Sequence, residues 1–183
     1  MIFNVDEKVN EIALEKIDAK WLARFLSLTA VAVFLPFFIH LPWITGPIIN
    51  AILILVLMLS GLRSALLVAC LPSLMALSGG LLPVVLTPAV PLIIISNIIF
   101  VLAIDWFHQR AQSDFNGYWL GILSGAFLKF VFLFLATSFL AAFLIKSPVM
   151  DIITKLLGWS QLLTAVAGGV IAFGVLKFLK YFK

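Results

Sequence analysis

Six apolar runs, joined by short links, constrain the fold of this chain more than any other feature. Hydrophobic residues make up 64% of its 183 residues and charged residues only 11%, whereas a soluble domain carries about a quarter charged residues. Such a composition needs lipid as its solvent, and an α-helix needs ~20 apolar residues to cross a bilayer. The sequence therefore predicts an all-α membrane protein built as a bundle of six transmembrane helices.

The expected helices follow the apolar runs. Their bounds are Trp21 to Ile39, Pro47 to Ser60, Ser64 to Ser78, Pro91 to Phe107, Tyr118 to Ile145 and Trp159 to Leu179. The second and third runs are short for a bilayer, so they either extend into the flanking residues or form a hairpin that does not fully cross. The uncharged, proline-rich link at 78–91 is either a lid over the end of the bundle or an interfacial connector.

Basic residues predict how the bundle is oriented. Nine lie on the side that holds both termini, and two lie on the other: Lys8, Lys16, Lys20, Arg24, Arg63, Arg110, Lys177, Lys180 and Lys183, against Lys146 and Lys155. The positive-inside rule then places both termini in the cytoplasm. Residues 1–20, with a capping-box pattern and a modest apolar face, predict an amphipathic surface helix on the cytoplasmic side. Residues 21–183 form the transmembrane domain.

A lysine stands in the middle of the fifth run, in the stretch GYWLGILSGAFLKF. Lys129 lies roughly 18 Å from one end of that run and 24 Å from the other, and a lysine at the centre of a membrane helix costs about 3 kcal/mol. Gly117, Gly121 and Gly125 precede it at steps of four, on nearly the same helix face. Because glycines at this spacing let another helix approach closely, we expect the stripe and the lysine to face protein.

Lys129 has two interpretations. It is either a cation placed to meet an anionic group of a ligand, or it pairs with Asn97, carbonyl groups or water and only fixes the packing. Asn97, Asn50 and Gln161 are the further candidates for ligand contact. The two asparagines also suit interhelical hydrogen bonds. Gln161 either lines a pocket mouth or caps its helix.

No combination of residues predicts catalysis, a metal site or a cofactor. The single cysteine, Cys70, can form neither an internal disulfide nor an iron–sulfur cluster, which needs about four thiolates. His40 and His108 lie at opposite helix ends, and no His, Cys and carboxylate residues cluster at metal-ligand spacing. There is no GxxxxGKS/T motif for phosphates and no basic, aromatic patch for nucleic acid. We expect a protein that is not an enzyme and has no nucleic-acid partner.

Four strings resemble a family of small bacterial membrane proteins that are often labelled iron hydrogenase. They are TGPIINAILIL, LPSLMALSGGLLPVVLTPAVPLIIISN, LKFVFLFLATS and WSQLLTAVAGGVIA, and the resemblance covers most of residues 25–175. The family label conflicts with the residues, because one cysteine cannot ligate a hydrogenase cluster. The resemblance implies a multi-pass protein of the bacterial inner (plasma) membrane.

More distantly, the six-span layout resembles the substrate-binding S components of energy-coupling factor transporters. In that family a six-helix protein binds a vitamin or a metal near its outer face, and a transmembrane coupling protein with two ATPases drives its release. The family docks the coupling protein through small residues of the first helix. Ala19, Ala23 and Ser27 are the corresponding candidates here, whereas the histidine array of the metal-binding branch is absent from this sequence.

The resemblance implies a membrane subunit that captures a small solute near the outer face. We expect a pocket between the outer halves of the fourth, fifth and sixth helices, roofed by residues 78–91. The cation of Lys129 points to a carboxylate or phosphate on the solute. The alternative is a membrane anchor or accessory subunit of a soluble hydrogenase or other redox complex, with the N-terminal helix and residues 105–117 as the contact surface.

Overall fold

The computed structural model describes residues 19–39, 41–80, 84–143 and 157–182. These ranges contain six α-helices: α1 Ala19–Phe38, α2 Pro42–Ser60, α3 Leu62–Ser78, α4 Val90–Arg110, α5 Asp114–Phe143 and α6 Trp159–Phe178. A short 3-10 helix, Val84–Ala89, leads into α4. Five of the helices are long and apolar enough to cross a membrane, and the 17-residue α3 is a shorter apolar helix.

The all-α fold predicted from the apolar runs is confirmed for this part of the chain, and it fits a multi-pass membrane protein. The predicted surface helix within residues 1–20 lies outside the described residues, except for its last two positions, which belong to α1. The link at 78–91 contains a turn at 79–80 and the 3-10 helix, so it is not a continuous α-helix, as its prolines require.

Two helix starts lie four or five residues before the predicted ones, for identifiable reasons, and the other starts lie within two residues of the prediction. The second helix begins at Pro42 rather than Pro47, because a proline in the first helical turn loses no hydrogen bond; Pro47 is then tolerated inside the helix. The fifth helix begins at Asp114, four residues before Tyr118. A carboxylate in the first turn interacts favourably with the helix dipole, so this polar residue starts the helix although the apolar run begins later.

Large apolar side chains cover the outside of the bundle. Phe38 is 80% exposed and Phe178 is 85% exposed, and they are two of many such residues along all six helices. An apolar surface of this extent is unfavourable in water but suits lipid. Trp43, Trp106 and Trp159 are also exposed and lie near helix ends, where tryptophan is enriched at the two membrane interfaces.

The helices run in alternating directions. Along α4 and α5, the contacts pair later residues of one helix with earlier residues of the other, so the two helices are antiparallel. Ring contacts of α5 with α6 follow the same reversed order. One end of the bundle therefore holds the starts of α1, α3 and α5 and the ends of α2, α4 and α6. We call it the basic end, because every described lysine and arginine other than Lys129 lies there: Lys20, Arg24, Arg63, Arg110, Lys177 and Lys180.

Helix α2 is the central helix of the bundle. Residues 51–57 are all buried, one after another, which requires packing on every side of the helix. The neighbours that supply it are α1, α3, α4 and α6. Asn50, directly before this stretch, is only 2% exposed and therefore lies inside the protein.

Candidate functional site

Lys129 of α5 is buried among three helices, with 2% of its surface exposed. Its Nζ donates hydrogen bonds to Asn50 Oδ1 on α2, at 2.8 Å, and to Asn97 Oδ1 on α4, at 2.7 Å. The ring of Phe100 lies 5.4 Å from Nζ at its centroid, within the range of a cation–π contact. We call Lys129, Asn50 and Asn97 the amide cage.

The lysine turns away from lipid, as its sequence context predicted. Helix side chains lean toward the N-terminus of their own helix, so the lysine side chain points from α5 back toward the basic end. Its two acceptors come from other helices, at sequence separations of 79 and 32 residues. The structure thus brings together three of the four predicted ligand contacts, Lys129, Asn97 and Asn50.

A bond to α3 fixes the orientation of Asn97. Its Nδ2 donates to the backbone carbonyl of Ala69 at 3.4 Å, a long and therefore weak hydrogen bond. The reversed amide would place an N–H group against the ammonium and an oxygen against a carbonyl oxygen, and both contacts are repulsive. Asn97 therefore presents an acceptor to Lys129, and α3 is joined to the cage.

Asn50 owes its position to a glycine on α6. A Cβ atom at Gly168 would lie 2.7 Å from the Asn50 Cβ atom and 2.8 Å from the Pro47 carbonyl oxygen, so only glycine allows this approach of the two helices. Four residues earlier on α6, Thr164 packs against Gly46 of α2 in the same way. Helix α6 supports the cage by packing against α2.

The glycine stripe of α5 faces α4. A Cβ atom would lie 2.8 Å from Ala111 Cβ at Gly117 and 3.0 Å from Ile104 Cα at Gly121. At Gly125 it would lie 3.0 Å from the ring of Phe100. Because Lys129 is the next residue on this stripe, the close approach of α4 is what brings Asn97 and the Phe100 ring to the ammonium.

The carboxylates that the structure describes lie away from the cage. They are Asp105 and Asp114, both toward the basic end. Asp105 lies about 12 Å along α4 from Asn97 and accepts a hydrogen bond from Gln109 at 2.7 Å. Within the described ranges, the hydrogen-bond partners shown for the Lys129 ammonium are thus neutral amide oxygens.

The described buried apolar residues form two clusters. The first, the main core, lies mostly on the basic side of the cage: its buried residues there in α2, α4 and α5 are 51–57, Phe100, Val101, Ile104, Tyr118, Ile122 and Ala126, whereas Ala165 of α6 lies on the other side. On the other side, the described buried cluster consists of Ala89, Leu133 and Leu157, which we call the cap. Leu133 lies one helical turn beyond Lys129 along α5, so the cap begins one turn from the cage on the side opposite the basic end.

Gln161 and Thr164 occupy the first turns of α6. Gln161 is half-buried, and its backbone carbonyl accepts a hydrogen bond from the Thr164 hydroxyl at 3.2 Å. It lies roughly 10 Å along the helix from Gly168, the residue that contacts Asn50. The amides of the cage come from α2 and α4, whereas the sequence placed the pocket between the fourth, fifth and sixth helices.

The docking candidates Ala19, Ala23 and Ser27 all lie exposed on α1 near the basic end. None of them belongs to the amide cage. Cys70 is half-buried and its Sγ donates to the Leu66 carbonyl at 3.6 Å. Among the residues that the structure describes, no group of three His, Cys, Asp or Glu side chains could hold a metal ion.

Three residues of the site, Phe100, Gly168 and Ala69, were not among those predicted from the sequence. Phe100 and Gly168 are apolar, so no rule about polar residues in membranes selects them. Gly168 lies in a run of small residues, TAVAGG, which is typical of close helix packing, but a single sequence does not identify the partner helix. The sequence could not single out the backbone carbonyl of Ala69 as a hydrogen-bond acceptor, since every residue has a backbone carbonyl.

Comparison of the chain with protein-family models, with curated proteins and with solved structures finds no match.

Proposed function

We propose that this chain is a multi-pass membrane protein that captures a small anionic solute, and that Lys129 binds the anion. The observation that carries the proposal is the amide cage. A cation is buried at the middle of a long apolar helix, and the partners that the structure shows for it are neutral amides. Ionisable residues inside a membrane bundle are expensive and typically mark substrate or ion pathways.

The energetics favour reversible exchange between the amides and an anion. A hydrogen bond from a charged donor to a neutral acceptor contributes about 1.5–3 kcal/mol. A carboxylate about 4 Å from the ammonium would gain about 4 kcal/mol at an effective dielectric constant of 20, in addition to its own charge-assisted hydrogen bonds. The gain is comparable in size with the loss of both amide bonds, so an anion can compete with the amides for the ammonium.

The solute reaches the cage from the side opposite the basic end. On that side the cage is covered by the cap, whose described buried residues are Ala89, Leu133 and Leu157. Most of the main core lies on the basic side, and separating the helices there would expose its apolar surface. Gln161, at the start of α6, is a further contact for the solute on this path.

The direction of capture follows from the charges. Clustered lysine and arginine residues favour the cytoplasmic side, so the basic end lies in the cytoplasm and the cap faces outward, in the bacterial inner membrane. In this proposal, as in the energy-coupling factor transporters that the sequence resembles, a transmembrane coupling protein with ATPases releases the solute. It would dock on the exposed stripe of Ala19, Ala23 and Ser27.

The proposal is tested by measuring binding to the purified protein in lipid nanodiscs. Equilibrium dialysis would use radiolabelled short-chain carboxylates and inorganic phosphate as probes. At least one probe should bind saturably to the wild-type protein. Lys129→Met keeps the length of the side chain and removes its charge, and it should weaken that binding at least about tenfold, or 1.4 kcal/mol.

Lys177→Met is the matched control, because Lys177 is an exposed lysine in the last turn of α6. It should bind the probe as the wild type does. Size-exclusion chromatography and circular dichroism establish that each variant is folded. A folded Lys129→Met protein with wild-type affinity would contradict the proposal, as would a wild-type protein that binds none of the probes.

A further inference from the structure

The amide cage also restricts which anions fit, an inference that rests on the proposed function. Asn50 Oδ1 and Asn97 Oδ1 both point at one atom, Lys129 Nζ, from 2.8 and 2.7 Å. The amide of Asn97 also donates to the Ala69 carbonyl, and the Asn50 Cβ atom packs against α6 at Gly168. When a solute carboxylate takes the ammonium, both oxygens lose this donor.

Those two oxygens are then buried acceptors without a donor. Asn50 is 2% exposed and Asn97 is 4% exposed, so bulk water does not replace the lost hydrogen bonds. Leaving buried polar groups unpaired is unfavourable, and a site built to hydrogen-bond a ligand group discriminates strongly against analogues that lack it. A simple fatty acid would satisfy the lysine and leave both asparagines unsatisfied.

We infer that the solute is a small carboxylic acid with a hydrogen-bond donor, a hydroxyl or an ammonium group, on the carbon next to the carboxylate. Its carboxylate binds Lys129 Nζ, which moves away by about one hydrogen-bond length, ~2.8 Å. The donor on the neighbouring carbon then enters the position that Nζ has left. An ammonium donates to both Asn50 Oδ1 and Asn97 Oδ1, whereas a hydroxyl has one O–H and shares it between them. The solute thus gives the Lys129 ammonium an acceptor and the two asparagines a donor.

The test compares acids of one carbon skeleton on the full-length protein in nanodiscs. The probes are propionate, its 2-hydroxy and 2-amino derivatives (lactate and alanine), and 3-hydroxypropionate, in which the donor lies one carbon further away. The same series built on hexanoate controls for solute size. In at least one series, the 2-hydroxy or 2-amino acid should bind at least about tenfold more tightly than the parent acid and the 3-hydroxy acid.

The asparagines are then tested for their part in this preference. Asn97→Leu removes one acceptor at similar volume, and it should reduce the advantage of the 2-substituted acid below about threefold. Asn50→Leu serves the same purpose if the first variant does not fold. Lys177→Met remains the control that should leave the preference unchanged.

The outcomes separate this inference from the proposed function. If parent acids bind as tightly as their 2-substituted derivatives, the donor requirement is wrong, while anion capture by Lys129 stands. If a preference exists but persists in a folded Asn97→Leu or Asn50→Leu protein, the amides do not set it and the inference fails. If no acid of either series binds, this inference is wrong, and anion capture by Lys129 then stands only if inorganic phosphate binds.

Discussion

Gly168 of α6 stands directly against Asn50 of α2, so closely that a Cβ atom at position 168 would lie 2.7 Å from the Asn50 Cβ atom. Asn50 in turn accepts a hydrogen bond from Lys129 at 2.8 Å. The absence of one side chain on α6 therefore sets where α2 presents an amide to α5. A residue without any polar side-chain group helps to determine the geometry of the site.

The first prediction concerns this contact. Gly168→Ala should lower the free energy of unfolding by about 1–3 kcal/mol, the usual cost of overpacking, and weaken probe binding by moving Asn50 away from Lys129. Gly174→Ala is the control, because a Cβ atom there meets nothing within 4 Å and alanine favours the helix. Thermal unfolding and equilibrium dialysis measure the two effects; equal behaviour of both variants would disprove the positioning role.

The second prediction is that Lys129 and Asn97 are energetically coupled. Asn97→Leu and Lys129→Met should each be destabilising by about 1–3 kcal/mol, since each leaves a buried polar partner unpaired. The double variant should lose less unfolding free energy than the sum of the two single variants, because replacing both partners with apolar groups leaves fewer buried polar groups unpaired. A double-mutant cycle from denaturant unfolding measures the coupling; strict additivity would show that the 2.7 Å bond contributes nothing.

The third prediction concerns the stripe that joins α4 and α5. Gly121→Ala should destabilise the protein by about 1–3 kcal/mol, since its Cβ atom would lie 3.0 Å from both the Cα atom and the carbonyl oxygen of Ile104. Backbone atoms cannot move aside as a flexible side chain can. Differential scanning calorimetry with Gly174→Ala as reference provides the measurement, and an unchanged transition temperature for Gly121→Ala would show that the helices separate without cost.

The fourth prediction tests the orientation in the membrane. In a Cys70→Ala background, which has no other cysteine, Ser113→Cys reports on the basic end and Ser78→Cys on the opposite end; both serines are exposed. A membrane-impermeant maleimide applied to intact cells should label position 78, whereas position 113 should react only after permeabilisation. The reverse pattern would place the cap in the cytoplasm.

The fifth prediction concerns Tyr181, just beyond α6. Burial raises the pKa of Tyr181, and the nearby carboxylate of Asp114 raises it further. Because the chain has only two tyrosines, the near-ultraviolet absorbance of a Tyr118→Phe protein follows the ionisation of Tyr181 alone. Its midpoint should lie above the ordinary value of 10.0 and should fall when Asp114→Asn is added. An unchanged midpoint would rule out the contribution of Asp114.

The sign of the associated pH dependence follows from the same shift. Below pH ~10 the phenol is neutral in both the folded and the unfolded chain, so Tyr181 makes no pH-dependent contribution. As the pH rises above that value the unfolded chain ionises first, and stability is lost until the folded-state pKa is reached. Tyr181→Phe should remove this component of the alkaline loss.

Much of the site could be anticipated from single residues. Lys129 had to face protein because lipid does not solvate a cation, and the glycines before it had to admit a neighbouring helix. Asn97 could be named as a neighbour from its depth along α4. The pairing of Asn50 with Lys129 could not be derived in this way, because nothing in either local sequence states which helices lie side by side.

The sequence by itself determined three features: that the apolar segments suit lipid rather than water, that they are helical, and that the buried lysine faces the protein interior. Hydropathy, the need to satisfy backbone hydrogen bonds in lipid and the cost of a charge in hydrocarbon act on each segment alone. Only the tertiary structure decided that α2 and α4 supply the amides, and that most of the main core lies on the basic side of the cage with the cap on the other. Those features depend on how surfaces of distant segments fit together, since close packing is a property of pairs of helices.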